Sequence, residues 1–123
     1  ENDLEKNVCI LNFLNNPYPI IKETDLFVLS SKYEGLPNVL LEALVLKKMI
    51  ISSNCRTGPN EILLNGKGGL LFNVGDHIQL YKKILYYVKN KKKCNRMVKI
   101  GMKNLNRFEK KKNLEKYLHF ITS

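Results

Sequence analysis

Several function classes are excluded by what these 123 residues lack. Cysteine occurs only as Cys9, Cys55 and Cys94, widely spaced and without a Cys-x-x-Cys pair, and His77 and His119 are the only histidines that could join them. An odd, scattered set builds neither a disulfide framework nor a zinc site, and it fits a reducing compartment. No apolar run approaches the ~20 residues of a membrane-spanning helix, and the acidic start is not the basic leader of a secretory signal. Arginine is limited to Arg56, Arg96 and Arg107. Because arginine is the usual reader of base edges and the bidentate clamp for phosphate, its scarcity argues against a specific nucleic-acid partner. The chain opens on Glu1 rather than Met, with a strand-like run close behind, and so reads as part of a longer protein.

What is present is ordinary globular composition, 44% hydrophobic and 26% charged, enough for one core at this length. The formal net charge of +10 is not spread evenly. Residues 82–116 hold 14 of the 21 Lys and Arg against two acids, Glu109 and Glu115, so the rest of the chain is slightly negative. A lysine-rich stretch of this kind reads either as a solvated face or as a region attracted to an anionic membrane.

Periodicity gives an alternating pattern. Val8–Leu14 reads as a buried strand, followed by a breaker cluster over Asn15–Pro19 and a short helical turn from Pro19 to about Glu23. Leu26–Leu29, Met49–Ile51 and Gly69–Phe72 read as further strands, with loops at 30–37 and 52–58. Helices are predicted at about 38–46, 59–64, 76–90, 94–107 and 111–121, the fourth-from-last closing at Asn65-Gly66. Strands separated by helices, at spacings too long for hairpins, imply right-handed crossovers and an α/β fold with a Rossmann-like parallel sheet, followed by a C-terminal helical segment. Such sheets bind ligands beyond the carboxyl ends of their strands, which selects loops 30–37 and 52–58.

The stretch from Ser30 to Leu44 carries the chemistry. Glu42 is the only charged residue in an otherwise apolar helix, and a buried, unpaired carboxylate is costly. A backbone N–H, a lysine, or a ligand with two adjacent hydroxyls would each satisfy it. Upstream, Gly35 permits close backbone approach, and the helix start near Pro37 and Asn38 offers unpaired N–H groups to phosphate. Glu42 lies about one turn, ~6 Å, along from Asn38. Phosphate at the helix start and a ribose diol beside Glu42 would together make a nucleotide. Ser30 and Ser31 have no His/Asp partners that would make either a nucleophile.

This pattern resembles the donor half of the group 1 (family 4) retaining glycosyltransferases of the GT-B fold. The match rests on the E-x7-E pair Glu34 and Glu42, within Tyr33-Glu-Gly-Leu-Pro-Asn-Val-Leu-Leu-Glu-Ala-Leu44. Flanking motifs occur in the family's order: Asn16-Pro-Tyr-Pro19, Asp25–Ser31, Ser53–Glu61 and Asn65–Phe72. The resemblance implies that Glu34 contacts the donor sugar as the catalytic glutamate and that Glu42 holds the ribose. It further implies that Gly35, Leu36, Asn38 and Val39 line the sugar and diphosphate. Gly58-Pro59 and Glu61 correspond to a second loop near the donor, and Lys67 reads as an exposed turn residue.

Residues 1–90 would then form part of a nucleotide-sugar-binding domain, with 91–123 its lysine-rich C-terminal helices. The implied reaction moves a sugar from a nucleoside-diphosphate donor to an acceptor hydroxyl with retention, in cell-surface glycan or lipid-linked saccharide synthesis. The implied acceptor is a saccharide or a lipid-linked one. No cofactor is required, and the absence of an Asp-x-Asp triplet argues against a metal. A cytoplasmic location is expected, peripheral at the inner membrane face through 82–116. The family's donor half begins earlier than Glu1 and is joined by an acceptor domain, so these residues alone are expected to be inactive. A non-catalytic remnant with weak nucleotide affinity is the alternative.

Overall fold

The computed structural model describes residues 4–32, 38–56 and 58–105. Their order is α1 (Tyr18–Lys22), β1 (Leu26–Leu29), α2 (Asn38–Val45), β2 (Met49–Ser53), α3 (Pro59–Ile62), a 3-10 turn (Leu64–Gly66), β3 (Leu70–Phe72), α4 (His77–Lys89) and α5 (Lys91–Lys103). The predicted helix at 111–121 lies outside the described residues.

Three strands form a parallel sheet in the order β1-β2-β3, with Phe27 opposite Ile50 and Ile51 opposite Leu70. β2 is central and buried at every position, as a parallel strand covered on both faces must be. Successive side chains point to opposite faces, and the core divides accordingly. Ile50 joins Leu40, Leu41, Ala43, Leu44, Ile62 and Leu63 beneath α2 and α3. Met49 and Ile51 join Leu70, Phe72, Cys94 and Val98 beneath α4 and α5. Burying a side chain such as Ile50 contributes roughly 1.5–3 kcal/mol.

The strand at Met49 is longer than its apolar run, since Ser52 and Ser53 continue it. Their buried hydroxyls are satisfied by backbone: Ser52 Oγ donates to the Ser53 carbonyl at 2.9 Å, and Ser53 Oγ to the Ser31 carbonyl at 2.5 Å. α5 likewise starts three residues before its predicted position. Asn90 turns the chain between the helices, and its carbonyl accepts the Cys94 N–H at 3.0 Å, so Lys91–Lys93 form the first turn. Where α5 crosses the chain entering β3, two glycines permit contact: a Cβ on Gly101 would lie 3.0 Å from Leu44 Cδ2 and 3.2 Å from the Gly68 carbonyl oxygen.

One element differs in kind. Val8–Leu14, expected as a buried strand, has no strand assignment and faces water, with Ile10 and Phe13 each about nine-tenths exposed. Strand formation needs a neighbour for each backbone N–H and C=O. β1 pairs only with β2, and no described residue pairs with this run.

Candidate functional site

The carboxyl ends of β1 and β2 lie side by side, where the serine contact ties Ser53 to Ser31. From there the chain enters α2. Asn38 is the first residue of α2 and exposed, Val39 and Glu42 are half-buried, and Leu40, Leu41, Ala43 and Leu44 are buried. Asn38 and Glu42, four residues apart, fall on one helix face, with Glu42 one turn from the first N–H groups of the helix. Of the predicted site residues, Asn38, Val39 and Glu42 thus lie on the first turns of α2, with Asn38 and Glu42 on one face. Glu34, Gly35 and Leu36 lie outside the described residues.

Glu42 is not in an ordinary aqueous setting. Burial pushes its pKa above the usual 4.5, opposed by the Tyr18 hydroxyl, which donates to the carboxylate. The folded state thus holds this proton more tightly than the unfolded chain does. Glu42's contribution to stability is greatest below pH 4.5, declines as pH rises through the raised pKa, and is constant above it. Ionising Glu42 is therefore less favourable in the folded chain than in the unfolded one, and a ligand that engages the carboxylate would offset that difference. One hydroxyl engages only one of about four lone-pair positions on a carboxylate, which leaves acceptor capacity for a diol.

Tyr18 is the residue that sequence reasoning missed. It is buried at the start of α1, and its N–H donates to Asn16 Oδ1 at 3.2 Å. Pro17 precedes it as helix cap, and Lys48 Nζ, just past the end of α2, donates to the Lys22 carbonyl at 2.6 Å. The Asn-Pro-Tyr-Pro motif reads from sequence as a turn, yet what the turn does is set a phenol under Glu42. A tyrosine inside an otherwise small and polar breaker cluster was the available signal.

A separate groove of about 570 Å³ runs between Glu61, Asn65 and Lys67 on one side and Ile100 and Asn104 on the other. Neither Asn38, Val39 nor Glu42 lines it. Among the described residues, no three His, Cys, Asp or Glu side chains gather closely enough to hold a metal ion.

The model of the family described as "Glycosyl transferases group 1" matches residues 1–104. The chain belongs to this family. An uncharacterized glycosyltransferase of Methanocaldococcus jannaschii is 48% identical over 61 residues, covering 50% of this chain and 15% of that protein. The N-acetylgalactosamine-N,N'-diacetylbacillosaminyl-diphospho-undecaprenol 4-alpha-N-acetylgalactosaminyltransferase of Campylobacter jejuni is 30% identical over 67% of this chain and 22% of its own length. The poly(ribitol-phosphate) alpha-N-acetylglucosaminyltransferase of Staphylococcus aureus is 24% identical over the whole chain and 25% of its own length. The crystal structure of TarM superposes on 97% of this chain and 24% of its own, with TM-score 0.76 and 24% identity, which shows the shared fold. The chain thus spans a quarter or less of the length of these three relatives. No helix among its described residues is long and apolar enough to cross a membrane.

Proposed function

We propose that this chain is the donor-binding region of a retaining glycosyltransferase that passes a sugar from a nucleoside diphosphate to an acceptor hydroxyl. The observation that carries the reading is Glu42: a half-buried carboxylate on an apolar helix, oriented by Tyr18, one turn from the helix start. In this reading the ribose diol donates to Glu42, and the diphosphate sits at the first turn of α2 near Asn38 and Val39. Glu34, Gly35 and Leu36 line the sugar, with Glu34 against its hydroxyls. As the sugar–phosphate bond breaks, negative charge grows on the departing phosphate. The fixed N–H dipoles of the helix start stabilise it without reorganising. Glu34 and Glu42 are not a hydrolase pair, since Glu42 is assigned to the ribose and not to the anomeric carbon.

Relatives named for capsular polysaccharide, lipopolysaccharide core and poly(ribitol-phosphate) support a role in cell-surface glycan synthesis. A relative named for a diphospho-undecaprenol substrate supports a saccharide or lipid-linked acceptor met at the cytoplasmic membrane face. By itself the 123-residue chain binds donor without turning it over.

Calorimetric titration with uridine and guanosine diphosphates tests the site. One of the two binds, and its affinity falls as pH is lowered through Glu42's raised pKa, because a protonated carboxyl no longer accepts from both hydroxyls. Failure of both nucleotides to bind would reduce the chain to a remnant that keeps the fold.

A further inference from the structure

We propose that the outer face of α4, together with the lysines where α4 meets α5, docks on an anionic lipid bilayer. This inference is independent of the donor site and stands on different residues.

The inner face of α4 is accounted for by Leu80, Ile84 and Tyr87, which pack on the core beneath the sheet. Its outer face carries Ile78, Tyr81 and Val88, exposed by 58%, 62% and 57%. At about 100° per residue these three fall within roughly 80° of one another, with half-buried Leu85 between them. Lys82 and Lys89, seven residues apart, run along one flank of the stripe, and Lys91, Lys92 and Lys93 follow directly in the first turn of α5. All five of these lysines are exposed except where Lys91 Nζ sits 5.9 Å from the Tyr87 ring centre. From His77 to Leu105 there are eight Lys and one Arg and not one Asp or Glu, so no acid on either helix neutralises the face.

Each feature narrows the occupant. Five exposed lysines beside the stripe, on helices without an acid, select an anionic partner and oppose a second copy of the same face, which would bring like charges together. A soluble polyanion would use the lysines but gains nothing from an exposed Ile, Tyr and Val. An apolar stripe with a tyrosine, flanked by exposed lysines whose long side chains can keep the charge in the headgroup layer, fits the boundary between acyl chains and anionic headgroups.

The chain has no tryptophan, so Tyr81→Trp places a single fluorescent reporter in the stripe. It is titrated with phosphatidylcholine vesicles containing or lacking phosphatidylglycerol, at low and high salt. The expected result is a blue shift and about ten-fold stronger partitioning on the anionic vesicles, weakened by salt. Ile78→Ser with Val88→Ser, and separately Lys82→Glu with Lys89→Glu, each lower partitioning about ten-fold while the far-UV circular dichroism is unchanged. Three outcomes overturn the proposal. One is equal binding to neutral and anionic vesicles, or binding to neither. Another is binding that soluble polyphosphate abolishes and the serine pair leaves intact, which marks a polyanion site. The third is a concentration-dependent dimer that the serine pair dissolves, which marks a self-association face.

Discussion

Val8–Leu14 and Met49–Ser53 are both short runs rich in strand formers, and they end in opposite states. Met49–Ser53 is the fully buried centre of the sheet, held between β1 and β3. Val8–Leu14 lies in water with Ile10 and Phe13 almost wholly exposed. Residue type does not separate them; hydrogen-bonding neighbours do. β2 follows α2 and precedes α3, so two short crossovers deliver strands to both of its edges. The N-terminal run has no such neighbour among the described residues, and an apolar sequence without one gains neither a ladder nor a covered face.

The largest expected effect breaks this comparison directly. Ile51→Lys, which places a charge between β2 and the α4–α5 layer, is expected to unfold the domain. Phe13→Lys is expected to leave the thermal midpoint within about a degree and to reduce aggregation, because it removes an exposed aromatic from an open, strand-forming run. Paired unfolding and light-scattering measurements decide it, and equal destabilisation by both would mean that the N-terminal run is part of the core. A smaller effect belongs to the α5 crossing. Gly101→Ala drives a methyl into Leu44 and the Gly68 backbone, costing about 1–3 kcal/mol in denaturant unfolding. An alanine without effect there would show that α5 can lift away from the entry to β3.

The smallest effect is stabilising. α2 ends with the Lys48 N–H on the Ala43 carbonyl at 3.0 Å and the Lys47 N–H on that of Leu44 at 2.8 Å, which leaves Lys47 at φ +60°. This is the left-handed position that glycine occupies without steric cost. Lys47→Gly is expected to raise stability by up to about 1 kcal/mol. A loss would mean that the lysine side chain contributes contacts that outweigh its backbone strain.

Much of the molecule between residues 26 and 90 is legible in the sequence because local and tertiary signals agree there. Leu26–Leu29 and Gly69–Phe72 are apolar runs between clear breakers, and Asp76 caps α4 by accepting the Gln79 N–H at 2.9 Å. The sequence misleads where the outcome depends on a distant neighbour. Ser52 and Ser53 look like loop residues until Ser31 supplies an acceptor, and Val8–Leu14 looks like a strand until its partners are sought. The candidate site divides the same way. Glu42 stands out as a lone acid on a greasy helix, whereas Tyr18, twenty-four residues earlier, is recognisable only once α1 is seen to pack beside α2.

The central claim is that Glu42 is kept for a ligand at some cost to the fold. Glu42→Gln keeps the shape and the bond to Tyr18 but removes the charge, so thermal unfolding and nucleotide diphosphate affinity are measured on the same preparation at neutral pH. The account predicts a midpoint equal to or above that of the parent chain and an affinity lowered about ten-fold or more, from the loss of charge-assisted hydrogen bonds to the diol. A lowered midpoint with unchanged affinity would contradict it and make Glu42 a structural acid held by Tyr18.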